Sequence, residues 1–102
     1  MIKAIRQGDV LLKFVGNIPS NCRNVGHLTL AEGEVTGHSH KILDSDCAVL
    51  MEEPTSKRRF LDVKNNTTVQ HEEHGVVALK PGKYEVTIQR EYEPEGWRNV
   101  SD

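Results

Sequence analysis

YEVTIQREY, residues 84–92, decides the fold class of this chain. Tyr84, Val86 and Ile88 fall on one side of an extended segment and Glu85, Thr87 and Gln89 on the other, the two-residue period of a half-buried strand. Pro81 and Gly82 make a tight turn into it, and Pro94, Glu95 and Gly96 stop it. Outward from this stretch the same kind of short run recurs. DVLLKFV (9–15), HLTLA (27–31), CAVLME (47–52), RFLDVK (59–64), TTVQ (67–70) and VVAL (76–79) are each bounded by turn-forming residues. The 47–52 and 59–64 runs are spaced to pair as a hairpin across the loop 54–57, with Phe60 and Asp62 on one face and Leu61 and Val63 on the other.

No stretch carries apolar residues at the spacing of an amphipathic helix, and turn signals return about every 8–12 residues. We therefore expect one all-β domain over residues 1–102, a small antiparallel barrel or sandwich. At this length a chain buries enough surface to fold without staples. Its apolar content of 36% and mean hydropathy of −0.54 point to a modest core.

A net charge of −2 and a pI near 6.2 provide no global basic field, which argues against nucleic acid or an anionic membrane as partner. No apolar run reaches the ~18 residues of a membrane span. MIKAIRQGDV at the N-terminus lacks the apolar region of a signal peptide, so a cytoplasmic setting is expected, with Cys22 and Cys47 as reduced, small apolar side chains rather than a disulfide. Trp97, in a polar tail, is expected to dock on the body or on a second copy.

The chemistry concentrates in the histidines. His38 and His40 in GEVTGHSHKILD are two residues apart, so on a strand both rings leave the same face. His71 and His74 in QHEEHG form a second pair, while His27 stands alone and is expected to be a partly buried strand residue. Neutral imidazole is a preferred ligand of transition metals, and two such pairs suffice for a site if they meet. Residues i and i+3 of a regular strand face opposite sides, however. His71 and His74 can both contribute only if HEEHG is a turn or bulge; if it is extended, Glu72 or Glu73 replaces one of them. Three nitrogens and a carboxylate with an open position suit Zn, Fe, Mn or Ni, and Glu72 or Glu73 is then the candidate general base beside a metal-bound water.

HSHKILD resembles the HxHxxxE/D core of the first cupin motif, with His38, His40 and Asp44 at the ligand positions and aspartate in place of the usual glutamate. GVVALKPG, residues 75–82, is similar to the spacing of the second cupin motif, although Lys83, Tyr84 and Glu85 stand where a histidine would follow. The resemblance implies a cupin-like fold and a bound metal. GEVTGHSH, HEEHG, PGKYEV and QREYEPEG also resemble the recurring blocks of a family of short bacterial and phage proteins to which no activity is attached.

Two readings of function follow. The first is a metal-binding β protein with His38, His40, His71 and His74 as ligands. The second is a non-enzymatic interaction module in which the histidines, with Arg58 and Arg59 of the basic run Lys57-Arg58-Arg59, face a protein or an anionic ligand. Exposed strand edges favour a homodimer in either case.

Overall fold

The computed structural model describes residues 4–32, 38–72 and 74–88. Ten strands are described: β1 (Ala4–Gln7), β2 (Val10–Val15), β3 (Arg23–Asn24), β4 (Thr29–Glu32), β5 (Ser39–Lys41), β6 (Ala48–Glu52), β7 (Arg59–Val63), β8 (Thr67–Val69), β9 (Val77–Leu79) and β10 (Gly82–Ile88). Among the described residues no helix is long and apolar enough to cross a membrane. Trp97 and the end of the 84–92 stretch lie outside the described residues.

Six strands form one antiparallel sheet in the order β1-β2-β10-β7-β6-β3. The alternation in the sequence sets its register. Leu50, Leu61, Tyr84 and Phe14 are direct cross-strand neighbours on β6, β7, β10 and β2. Val86 faces Leu12, which in turn faces Ile5. These rows supply one wall of the core, and Leu30, Ile42, Val69 and Leu79 supply the other.

The opposing wall is built from two short ladders, β4-β5 and β8-β9. A single antiparallel bridge joins them: Lys41 N–H donates to the Gln70 carbonyl at 3.0 Å and Gln70 N–H to the Lys41 carbonyl at 2.8 Å. The result is a two-layer sandwich. Among the described residues β1 and β3 remain the edges of the large sheet, which is not closed into a barrel. Arg59 links the layers at the rim, its Nη1 donating to the Leu30 carbonyl at 3.0 Å.

The 47–52 and 59–64 runs pair as the sequence predicts, from Ala48 opposite Val63 to Glu52 opposite Arg59. Their turn is closed by Lys57 N–H donating to the Glu53 carbonyl, with Lys57 in the left-handed region at φ 67°. β1 was not anticipated. It pairs with β2 through a two-residue turn, Gly8-Asp9, in which glycine takes φ 59° at the first position, as hairpin twist favours. On β1, Ile5 and Gln7 share the face turned toward the core, because their partners Leu12 and Val10 are both buried. His27 departs from its expected strand position: it is exposed in the loop before β4, where its Nδ1 accepts the Thr29 N–H.

Candidate metal centre

The bridge that joins the two short ladders also decides where the histidines go. Lys41 and Gln70 exchange both backbone hydrogen bonds, and continuing that antiparallel register by one residue sets His40 opposite His71. Neighbours of such a pair have closely spaced Cα atoms and side chains on a common face. The His40 and His71 ring centroids are accordingly 4.4 Å apart. One residue further the same register meets Ser39 with Glu72, and there the Ser39 N–H donates to Glu72 Oε1 at 2.9 Å. His38 shares the face of His40, and its ring meets that of His71 edge-on at 5.5 Å.

His74 joins through a local device. After β8 the chain leaves the ladder, and His74 N–H donates to His71 Nδ1 at 3.3 Å. This side-chain-to-backbone bond curls the loop and overcomes the opposite-face problem of an i, i+3 pair. The His71 and His74 rings lie 4.6 Å apart, and the His40 and His74 rings 6.0 Å apart and nearly parallel. His74 Nε2 is buried with no hydrogen-bond partner among the described residues.

These spacings can be tested against coordination chemistry. Rings bound to one ion through nitrogens at about 2.0–2.1 Å, with angles of 90–109° at the metal, have centroids roughly 4.5–5.2 Å apart. Of the observed spacings 4.6 Å falls inside that interval and 4.4 Å just short of it, while 5.5 and 6.0 Å exceed it, so those rings must draw in to share one ion. One nitrogen each of His38 and His71 and a carboxylate oxygen of Glu72 lie within 4.8 Å of one another. For His71 to ligate through Nε2, its Nδ1 must carry the proton, so its contact with the His74 N–H has to open; ligation through Nδ1 replaces that contact with the ion.

Burial grades the cluster. His40 is fully buried and His71 is 8% exposed, while Glu72 is exposed at the rim. His40 also touches two residues that the sequence reading missed. Its Nδ1 is 2.9 Å from Gln7 Oε1, and its Nε2 is 3.4 Å from Asp9 Oδ1. Gln7 is anchored in turn, its Nε2 donating to the Val69 carbonyl at 3.0 Å and the Gly75 carbonyl at 2.9 Å. A signal for Gln7 was available once β1 is drawn: a polar residue two positions from Ile5 on the inward face. Asp9, in a turn, offered none.

The Glu72 carboxyl lies below its ordinary value, held there chiefly by the Ser39 N–H and then by its own backbone N–H. A carboxylate stabilised in this way is a poor proton acceptor and a good anionic partner, which weakens it as a general base. Glu73 lies outside the described residues. Because folding favours the ionised form, the contribution of Glu72 to stability is fully present above its unfolded pKa and is lost as pH falls through the lower folded value. Denaturation of the wild type and Glu72→Gln should therefore show a difference at neutral pH that closes as pH falls from about 4.5. A difference independent of pH would contradict the Ser39 contact.

Other candidates disperse. Asp44 is exposed in the turn before β6, accepting from Thr67 Oγ1 at 3.2 Å, and is not part of the His38, His71 and Glu72 group. Arg58 pairs with Glu85 through Nε at 2.9 Å and Nη2 at 3.0 Å on the outer face, whereas Arg59 reaches the Leu30 carbonyl. The two cations thus take different partners, although both line one cleft. That cleft, of about 440 Å³ and lined also by Ser56, Lys57, Glu85 and Thr87, includes none of the clustered histidines. Cys22 and Cys47 are free thiols.

A family model described as Domain of unknown function (DUF8820) matches residues 6–89, a span that takes in β2 to β10 and every residue of the cluster. No curated protein and no solved structure matches the chain.

Proposed function

Since the chain belongs to the DUF8820 family, whose description carries no activity, we propose from the geometry of the site that it is a metal-binding protein holding one divalent transition ion among His38, His40, His71 and His74. One observation carries this reading. Histidines thirty residues apart in sequence converge so that the His71 ring contacts those of His38, His40 and His74. A set rich in imidazole, with Glu72 at its exposed edge, has the donor chemistry of Zn, Fe, Mn or Ni sites. The cupin-like ligand pattern supports the first pair alone, because Asp44 stands apart. The interaction-module reading draws less support, since the cleft that Arg58 and Arg59 both line includes none of the clustered histidines.

The ion's role follows from how deeply it sits. Its inner ligand, His40, is sealed from solvent while Glu72 is open to it, so any exchangeable position lies on the Glu72 side. Metal analysis of untagged protein, purified without chelator, is expected to find close to one ion per chain. His38→Ala should reduce this and leave the thermal transition of the metal-free protein within about 1 kcal/mol of wild type, because His38 is only partly buried. Wild-type protein that carries no metal, and binds none when titrated with zinc, cobalt or nickel, would end the reading.

A further inference from the structure

We propose that the cleft between the β6-β7 turn and the second half of β10 is a separate binding site, which takes a small phosphate monoester in its dianionic form. It shares no residue with the histidine cluster and stands whether or not that cluster holds an ion. Lys57, Arg58 and Arg59 line the cleft with a single carboxylate, Glu85, so its wall carries an excess of two positive charges. The chain as a whole is net negative at −2, which makes this a local reversal of sign rather than part of a general field. Val86 and Ile88 add an apolar side. A volume of about 440 Å³ leaves room for an organic group beside a phosphate and lies within the roughly 300–1,000 Å³ of small-molecule pockets.

The turn is built before any ligand arrives. Glu53 Oε1 accepts from the Ser56 N–H at 2.5 Å and from the Ser56 hydroxyl at 2.7 Å, and the Glu53 carbonyl accepts from the Lys57 N–H at 2.8 Å. Arg58 N–H donates to Ser56 Oγ at 3.3 Å. With its backbone donors engaged, the turn meets an anion through its side chains. Arg58 is held by its two bonds to Glu85 and by the Phe60 ring, whose centre is 5.3 Å from the guanidinium carbon, and the rest of its fork stays open to a ligand. Lys57 makes no ion pair among the described residues. Guanidinium grips carboxylate and phosphate in the same parallel geometry, so charge makes the choice. A phosphate monoester carries about −1.5 to −2 at pH 7, which balances the excess of two, whereas a carboxylate or a sulfate ester supplies one. A nucleic-acid strand asks for a longer basic track with aromatic platforms, and no aromatic residue lines this cleft.

The test is a titration of the full chain with phenyl phosphate, followed by backbone amide resonances and by calorimetry. The amides of Lys57, Arg58 and Thr87 are expected to move and saturate, and phenyl sulfate, the singly charged analogue, to bind about tenfold more weakly or worse. Inorganic phosphate separates the two sources of the dianion: it should move the same amides at lower affinity, having nothing to set against Val86 and Ile88. Lys57→Asn removes one charge while keeping a residue that tolerates the left-handed backbone at φ 67°, and should weaken phenyl phosphate by about tenfold. Arg58→Ala should abolish the response; if the loss of its Glu85 and Phe60 contacts unfolds that variant, Lys57→Asn decides. Wild type stripped of metal by a chelator and dialysed should bind phenyl phosphate as untreated protein does, which keeps the result apart from the metal centre. Unmoved amides, equal binding of phenyl phosphate and phenyl sulfate, inorganic phosphate as tight as the ester, full affinity in Lys57→Asn, loss of binding with the metal, or tighter binding of a single-stranded oligonucleotide would each overturn the assignment.

Discussion

His71→Ala is expected to weaken zinc binding by at least about 100-fold, the largest loss of any single histidine, because a direct ligand should exceed the 10–100-fold typical of outer-shell partners. The argument is one of position. His71 touches the rings of His38, His40 and His74, and its ring lies closer to those of His40 and His74, at 4.4 and 4.6 Å, than the His40 and His74 rings lie to each other, at 6.0 Å. His74→Ala leaves the register-matched pair His40 and His71 in place and should be the milder change. Zinc competition titrations on the two variants, run beside metal-free melts, separate lost ligation from lost structure. Equal and small losses in both would mean that the rings meet without sharing an ion.

The largest effect on folding is expected at Tyr84. It is fully buried at the centre of the six-stranded sheet, its ring 4.5 Å from that of Phe14, with its hydroxyl donating to the Lys80 carbonyl at 2.7 Å. Truncating a large buried aromatic costs about 3–5 kcal/mol, a large share of the 5–15 kcal/mol that holds most domains folded. Tyr84→Ala should therefore lower the melting temperature by tens of degrees or leave the protein unfolded. Tyr84→Phe keeps the ring and gives up one hydrogen bond, for about 1 kcal/mol. Urea denaturation of the three proteins checks both figures. A loss under ~1 kcal/mol in Tyr84→Ala would show that the β10-β2 contact is not central to the core.

Much of this architecture is legible in the residues themselves, and the reason is periodicity. Tyr84, Val86 and Ile88 alternate with polar neighbours, Leu61 and Val63 share one face with Phe60 and Asp62 on the other, and both strands form over these residues. β1 escaped because Ala4, Arg6 and Gln7 leave Ile5 as its only large apolar residue, so burial gave no period to read. β3, two exposed residues paired with β6, carries no pattern at all. The histidines could be recognised by type, but their meeting depends on the Lys41-Gln70 register, a long-range pairing that composition does not encode. Whether HEEHG would present both of its rings was undecided in the sequence because the answer is a bond between His74 N–H and His71 Nδ1. Asp9 was read only as the start of the 9–15 run and Gln7 carried no reading, since nothing local distinguishes a buried carboxylate from a solvated one.

The two carbonyls that grip the Gln7 amide lie 62 and 68 residues further along the chain. The chain from Gln7 through Gly75 must therefore be synthesised and looped back before His40 acquires its final orientation, and loops of that size close late and against entropy. A nascent chain still waiting for Gly75 has histidines but no cradle. On the proposed reading, an ion is then expected to be taken up only by chains that have folded through Gly75.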